Sequence, residues 1–183
     1  MMKMLNSVVL YLALALGANA ADLETLNALR MGDMKKLNFH AEPVAVSDAV
    51  FTDRDGAEFT LADWQGKIVL LNFWATWCAP CRHEMPSLDA LQGELGGDAF
   101  EVVTLATGRN AVPGIERFFE EESIVNLPIL LDPKQAVARE MAVLGLPITV
   151  ILNREGQEIA RLRGDALWDS DSAKAILRAL IDG

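Results

Sequence analysis

The sequence predicts an α/β sandwich around a mixed sheet, parallel at its centre and antiparallel at one edge. Three observations predict it. Strand-like and helix-like patterns alternate along most of the chain, and the run Lys67–Ala75 is nearly all apolar without strict alternation, as in a strand covered on both faces. The chain then closes with a hairpin pattern and a helical one. At 183 residues, half of them hydrophobic, it has the material for one domain with a substantial core.

The amino terminus reads as an export signal. Met1–Ser7 carries one cation, Lys3, and Val8–Ala18 is an uninterrupted apolar or small run. That run of about eleven residues is short of the ~20 needed to span a bilayer, and Ala18-Asn19-Ala20 places small residues where a signal peptidase reads. Residues 1–20 are therefore expected to be a signal peptide, with a short uncleaved anchor as the alternative. Both cysteines lie elsewhere, which excludes a bacterial lipoprotein anchor.

Residues 21–43 are expected to form an N-terminal helical extension, in which Ala21–His40 reads as a short helix with Leu23, Leu26, Leu29 and Arg30 at helical spacing, ending in a polar stretch around Gly32. The main domain is expected over residues 44–183. Val44–Phe51 and Glu58–Leu61 read as strands around an Asp-Gly turn, and Lys67–Ala75 as the central strand. Arg82–Leu95 follows as a helix with Met85, Leu88, Leu91 and Leu95 on its apolar positions. Beyond it come a strand at Phe100–Thr107, an acidic helix at Gly114–Glu122, a short strand at Leu127–Leu131 and a helix at Lys134–Met141. Ile148–Asn153 and Glu158–Leu162 make a hairpin, and Ser170–Ile181 is the closing helix.

Acidic residues outnumber basic ones 26 to 16, for a net charge of −10, the wrong sign for neutralising phosphates. Nucleic acid is thus not an expected partner. The two cysteines, Cys78 and Cys81, are too few for the multi-bridge framework of small secreted domains. They are there for chemistry or for a metal.

At a strand-to-helix junction, Cys78 stands at the first turn of a helix and Cys81 three residues on, close enough to close a disulfide. Free amides and the positive dipole end of that helix favour an anion, which makes Cys78 the attacking thiolate. Cys81, one turn further in, is the resolving thiol. Pro80 suits a first helical turn, lacking the N–H that would go unpaired there. A structural zinc needs four ligands, and only His40 and His83 would be left to join the pair, at unpaired spacing. Copper(I), content with two thiolates, remains an alternative.

The run Asn72-Phe73-Trp74-Ala75-Thr76-Trp77-Cys78-Ala79-Pro80-Cys81-Arg82-His83-Glu84-Met85-Pro86 closely resembles the active-site segment of the TlpA/ResA-like branch of the thioredoxin superfamily. Gly145-Leu146-Pro147-Ile148-Thr149 resembles the segment bearing that superfamily's cis-proline, and the likeness of layout covers roughly Val44 to Gly183. The resemblance implies a thioredoxin-like three-layer sandwich and a periplasmic thiol:disulfide oxidoreductase, acting in cytochrome c maturation or in preparing copper sites of respiratory oxidases. Its partners would be proteins carrying disulfides or thiols, with electrons supplied by a membrane thiol donor.

Residue by residue, the resemblance implies that Trp77 flanks the nucleophile, Cys78 and Cys81 cycle, and Pro147 faces them in a cis bond. Such a turn would expose the backbone of Leu146 to pair with an extended substrate. Glu84 matches the acidic residue of this branch that exchanges the resolving thiol's proton. Asn72 stands where cytoplasmic thioredoxins carry a buried aspartate, and asparagine cannot titrate. Ala111–Leu131 fits the helix and strand inserted in this branch.

The leading expectation is an exported reductase of protein disulfides, monomeric and without a cofactor, whose redox group is the cysteine pair itself. No nicotinamide or flavin motif is present. A copper(I) chaperone using the same two thiolates is the alternative. A peroxide-reducing enzyme is a third reading, and it lacks the Thr-x-x-Cys spacing, since Thr76 stands two residues before Cys78. His83 is expected to be solvated, and Trp64, Phe73 and Trp74 to be core residues.

Overall fold

The computed structural model describes residues 23–183, and the leader expected over residues 1–20 lies outside them. The strands are β1 (Asn38–Val44), β2 (Phe51–Asp53), β3 (Glu58–Phe59), β4 (Ile68–Trp74), β5 (Phe100–Thr107), β6 (Leu130–Asp132), β7 (Ile148–Leu152) and β8 (Glu158–Arg163). The helices are α1 (residues 23–28), α2 (Ala79–Leu95), α3 (Val112–Glu121), α4 (Ala136–Glu140) and α5 (Asp171–Asp182).

One eight-stranded sheet runs in the order β1-β8-β7-β4-β5-β6-β2-β3. The strands β4, β5 and β6 are parallel, with Ile68 opposite Phe100 and Trp74 opposite Ala106. Antiparallel pairs flank this centre on both sides rather than one: β7, β8 and β1 on one, and the β2–β3 hairpin beyond β6 on the other.

Every residue of β4 is buried, because helices cover both faces of the sheet. With side chains alternating along a strand, Ile68, Leu70 and Trp74 enter one core with Met85, Leu88 and Leu91 of α2, Phe118 of α3 and Ile176 of α5. Val69, Leu71 and Phe73 enter the other, with Val137 and Ala138 of α4. This period places Asn72, the one polar residue of β4, on the α2 face. Each fully buried apolar side chain contributes roughly 1.5–3 kcal/mol. Trp74 stacks with Phe119 at 5.9 Å between ring centroids and lies 5.7 Å from Phe118.

Two segments differ locally from expectation. The short helix expected to end around Gly32 is helical over residues 23–28 of those described, and Gly32, at a φ of +53°, then opens a 3-10 turn, Gly32–Lys36. Met34 and Leu37 then bury in the core, and the chain enters the sheet as β1, paired with β8. The strand drawn over Val44–Phe51 is irregular up to Phe51. There the Ser47 hydroxyl donates to Glu140 at 2.6 Å and accepts from the Ala49 amide at 3.0 Å, tying the backbone into a local turn instead of a ladder.

Candidate active site

The chain leaves β4 at Trp74, turns with the Cys78 amide donating to the Ala75 carbonyl at 3.1 Å, and enters α2. The turn is pinned sideways, since the Thr76 amide and hydroxyl both donate to Asn110 Oδ1, at 2.8 and 3.1 Å. Trp77 is held outward with 66% of its surface exposed.

Cys78 is the N-cap of α2, and its Sγ accepts the Cys81 amide at 3.3 Å. The two sulfurs are joined, with S–S 2.01 Å and Cα–Cα 5.3 Å. Cys81 is completely buried, whereas Cys78 retains a small exposed area. The less buried cysteine of the pair is thus the one at the helix terminus, where amides and dipole favour a thiolate. The shielded sulfur is one turn inside.

Glu84 follows Cys81 by three residues, so the two side chains occupy neighbouring positions on one helix face. It is 1% exposed. The Asn72 amide donates to Oε1 at 2.7 Å, and the Trp168 indole and Ala166 amide donate to Oε2 at 3.1 Å each. Burial pushes the Glu84 carboxyl up to about 7; the Asn72, Trp168 and Ala166 hydrogen bonds pull the other way, and the Asp165 carboxylate adds to the rise. The result is a nearly completely buried carboxyl able to take or give a proton near neutral pH.

Asn72 spends both amide hydrogens, on Glu84 and on the Thr149 hydroxyl at 2.9 Å, and its own buried oxygen has no partner among the described residues. A half-turn of that amide would offer the oxygen to a protonated Glu84. The sequence points to Asn72 through its family resemblance, as the residue standing where cytoplasmic thioredoxins carry a buried aspartate. It gives no sign of Ala166 and Trp168, which reach Glu84 from 82 and 84 residues away in sequence.

The Leu146–Pro147 peptide bond is cis. Ile148 pairs with Phe73, so this loop lies at the end of the sheet where β4 runs into the cysteine turn. The Pro147 carbonyl accepts the Gly164 amide at 3.0 Å, Leu146 packs against both cores, and Leu144 is 96% exposed. His83 is largely exposed and pairs with Asp165 at 3.2 Å, while Phe73 and Trp74 are buried and Trp64 stacks on Phe51. Among the described residues no group of three or more His, Cys, Asp or Glu side chains is placed to hold a metal, and no helix is long and apolar enough to cross a membrane.

The AhpC/TSA family model matches residues 39–159, which contain the cysteine pair, Glu84 and Pro147. The chain is similar to a thiol-disulfide oxidoreductase ResA of Geobacillus thermodenitrificans, 33% identical over 126 residues, covering 66% of this chain and 71% of that one. Among solved structures it is similar to the pneumococcal exposed lipoprotein thioredoxin of Streptococcus pneumoniae, at TM-score 0.60 and 27% identity, over 75% of this chain and all of the other. A thioredoxin family thiol:disulfide interchange protein from Chlorobium tepidum shares the fold, at TM-score 0.63 and 22% identity over 78% and 99% of the two chains.

Proposed function

Because the chain belongs to the AhpC/TSA family and is a thioredoxin-like thiol-disulfide oxidoreductase, we propose that it works as an exported, periplasmic reductase of protein disulfides. Its substrates in this reading are apocytochrome c or proteins receiving copper, and a membrane thiol carrier re-reduces it. The observation that carries the reading is the placement of Cys78 Sγ at the N-terminus of α2, with Cys81 sealed beneath it and Glu84 one turn on.

In the reaction so read, the Cys78 thiolate attacks one sulfur of a substrate disulfide. That bond breaks, a mixed disulfide forms, and the released substrate sulfur takes a proton. Glu84 as carboxylate accepts the Cys81 proton, and the Cys81 sulfur attacks Cys78. The mixed disulfide breaks, the Cys78–Cys81 bond forms, and the second substrate sulfur leaves reduced. Two electrons have passed from the protein dithiol to the substrate. The backbone of Leu146 pairs with the extended substrate, and Trp77 flanks the nucleophile.

Equilibration against glutathione or dithiothreitol buffers of known poise tests the direction. A potential near or below ~ −270 mV supports a reductase, and one approaching ~ −120 mV would make the protein an oxidant. Cys81→Ser, which stalls the mixed disulfide, should retain the substrate for identification.

A further inference from the structure

Beside the cysteine turn lies an open groove of about 590 Å³ lined by Trp77, Gly108, Arg109, Pro133 and Gln135. The thiol chemistry uses none of it except the Trp77 ring. Its walls come from three loops: the cysteine turn, the β5–α3 connection and the β6–α4 connection.

All three are fastened together. Asn110, next to Arg109, accepts both Thr76 donors and donates from Nδ2 to the Thr107 carbonyl at 3.0 Å. On the other wall the Gly108 and Gln135 amides donate to the Asp132 carbonyl at 2.9 and 3.0 Å. The buried Asp132 carboxylate accepts the Ala136 and Ala138 amides, at 2.7 and 3.0 Å. Gln135 is held at φ +55°, a left-handed conformation that costs a non-glycine residue free energy and persists only where its surroundings impose it. The groove is therefore preorganised and in fixed register with Cys78.

Its one charge is a cation. Arg109 is exposed, and among the described residues it forms no ion pair and no hydrogen bond. Lys134, beside Pro133, is also exposed and forms no ion pair there, while the nearest acid in these loops, Asp132, is buried and spent on backbone amides. A positive rim on a chain of net charge −10 stands out against its own background. An exposed guanidinium beside a flat indole, one residue from the nucleophile, suits a polypeptide carrying a carboxylate.

We propose that this groove is a specificity subsite for an acidic side chain, Asp or Glu, standing within about three residues of the substrate cysteine. At about 3.3 Å per residue, three residues of extended strand reach about 10 Å from the attacked sulfur. The inference rests on the reading of the protein as a reductase of protein disulfides.

The test uses the reduced protein and cystine-linked peptides that differ only in carrying Asp, Asn or Lys at each position within three residues of the cysteine. Each rate is divided by the same variant's rate on uncharged 2-hydroxyethyl disulfide. For the wild type the Asp peptide should outrun the Asn peptide by up to about five-fold at one position, the range of an exposed ion pair, and the Lys peptide should be slowest. Arg109→Ala should remove the preference, Arg109→Glu should invert it, and added salt should compress it. Equal rates for Asp and Lys peptides, or a preference surviving in Arg109→Glu, would overturn the subsite. A wild type that reduces neither peptides nor the uncharged disulfide would instead overturn the reductase reading beneath it.

Discussion

Replacing Glu84 by Gln should change how the stability of the oxidised protein depends on pH. Burial raises this carboxyl from its ordinary 4.5 to about 7. Between those values the folded chain keeps a proton that the unfolded chain releases, so the folded state loses stability as pH rises through this window. Above about pH 7 the loss is complete. At roughly 1.4 kcal/mol per pH unit it amounts to about 3 kcal/mol, and the side chain is buried enough that water does not screen it away. Glutamine carries no charge, so Glu84→Gln should lack this slope. Its carbonyl oxygen can keep the Ala166 and Trp168 donors, and its amide can donate to the Asn72 oxygen once that amide turns. Urea unfolding at pH 5, 6, 7 and 8 measures both proteins. The variant should gain on the wild type by about 2.5 kcal/mol between pH 5 and pH 8, the first part of the loss having occurred below pH 5. Parallel curves across that range would refute the reasoning, because other titrating groups are common to both proteins and cancel.

Three further outcomes are expected. Glu84→Gln should slow the resolution of a preformed mixed disulfide on Cys78 by about 10²-fold near pH 7, seen by stopped flow, while the initial attack by Cys78 is little changed. Trp168→Phe removes one N–H donor from the carboxylate while keeping most of the ring, a bond to a charged group worth about 1.5–3 kcal/mol; the Glu84 carboxyl should titrate above its present value of about 7 in a carbon-detected NMR titration. Glu158 is buried and accepts from Arg161 Nε and Nη2 at 2.7 Å each, with His40 Nε2 at 2.8 Å. Burial alone would raise its carboxyl, but the Arg161 and His40 hydrogen bonds hold it below the ordinary range. Its contribution is therefore present above the unfolded value and fades as pH falls through the folded one. Glu158→Ala should cost about 3–5 kcal/mol at pH 7 by chemical denaturation, leaving Arg161 with only the Met141 carbonyl.

What the sequence reveals and what it hides follow from how local each signal is. The strand β4 is legible because burial on both faces leaves an unbroken apolar run, and α2 because Met85, Leu88 and Leu91 recur at helical spacing. The edge strand β1 is hidden: most of Asn38–Val44 is exposed, Pro43 interrupts it, and no alternation survives, while the leucines before it mimic a longer helix. The Cys78–Cys81 bond is legible because their spacing at a strand-to-helix junction permits it. The burial of Glu84 is only half legible, since helix position puts it near Cys81 but the donors that seal it arrive from the far end of the chain.

Those donors bind Asn72, Glu84 and Trp168 into a single unit of inheritance. Losing the carboxylate alone would strand an indole N–H, a backbone amide and a side-chain amide in a dry core. Losing Trp168 alone would leave the acid short of a partner and its titration displaced. Any one step away from this set is therefore penalised, although replacing all three together with apolar residues would leave only the Ala166 amide and the Thr149 hydroxyl to satisfy. Substitutions here should be epistatic: the effect of each depends on whether the others have already changed, and the site is expected to drift in blocks or not at all.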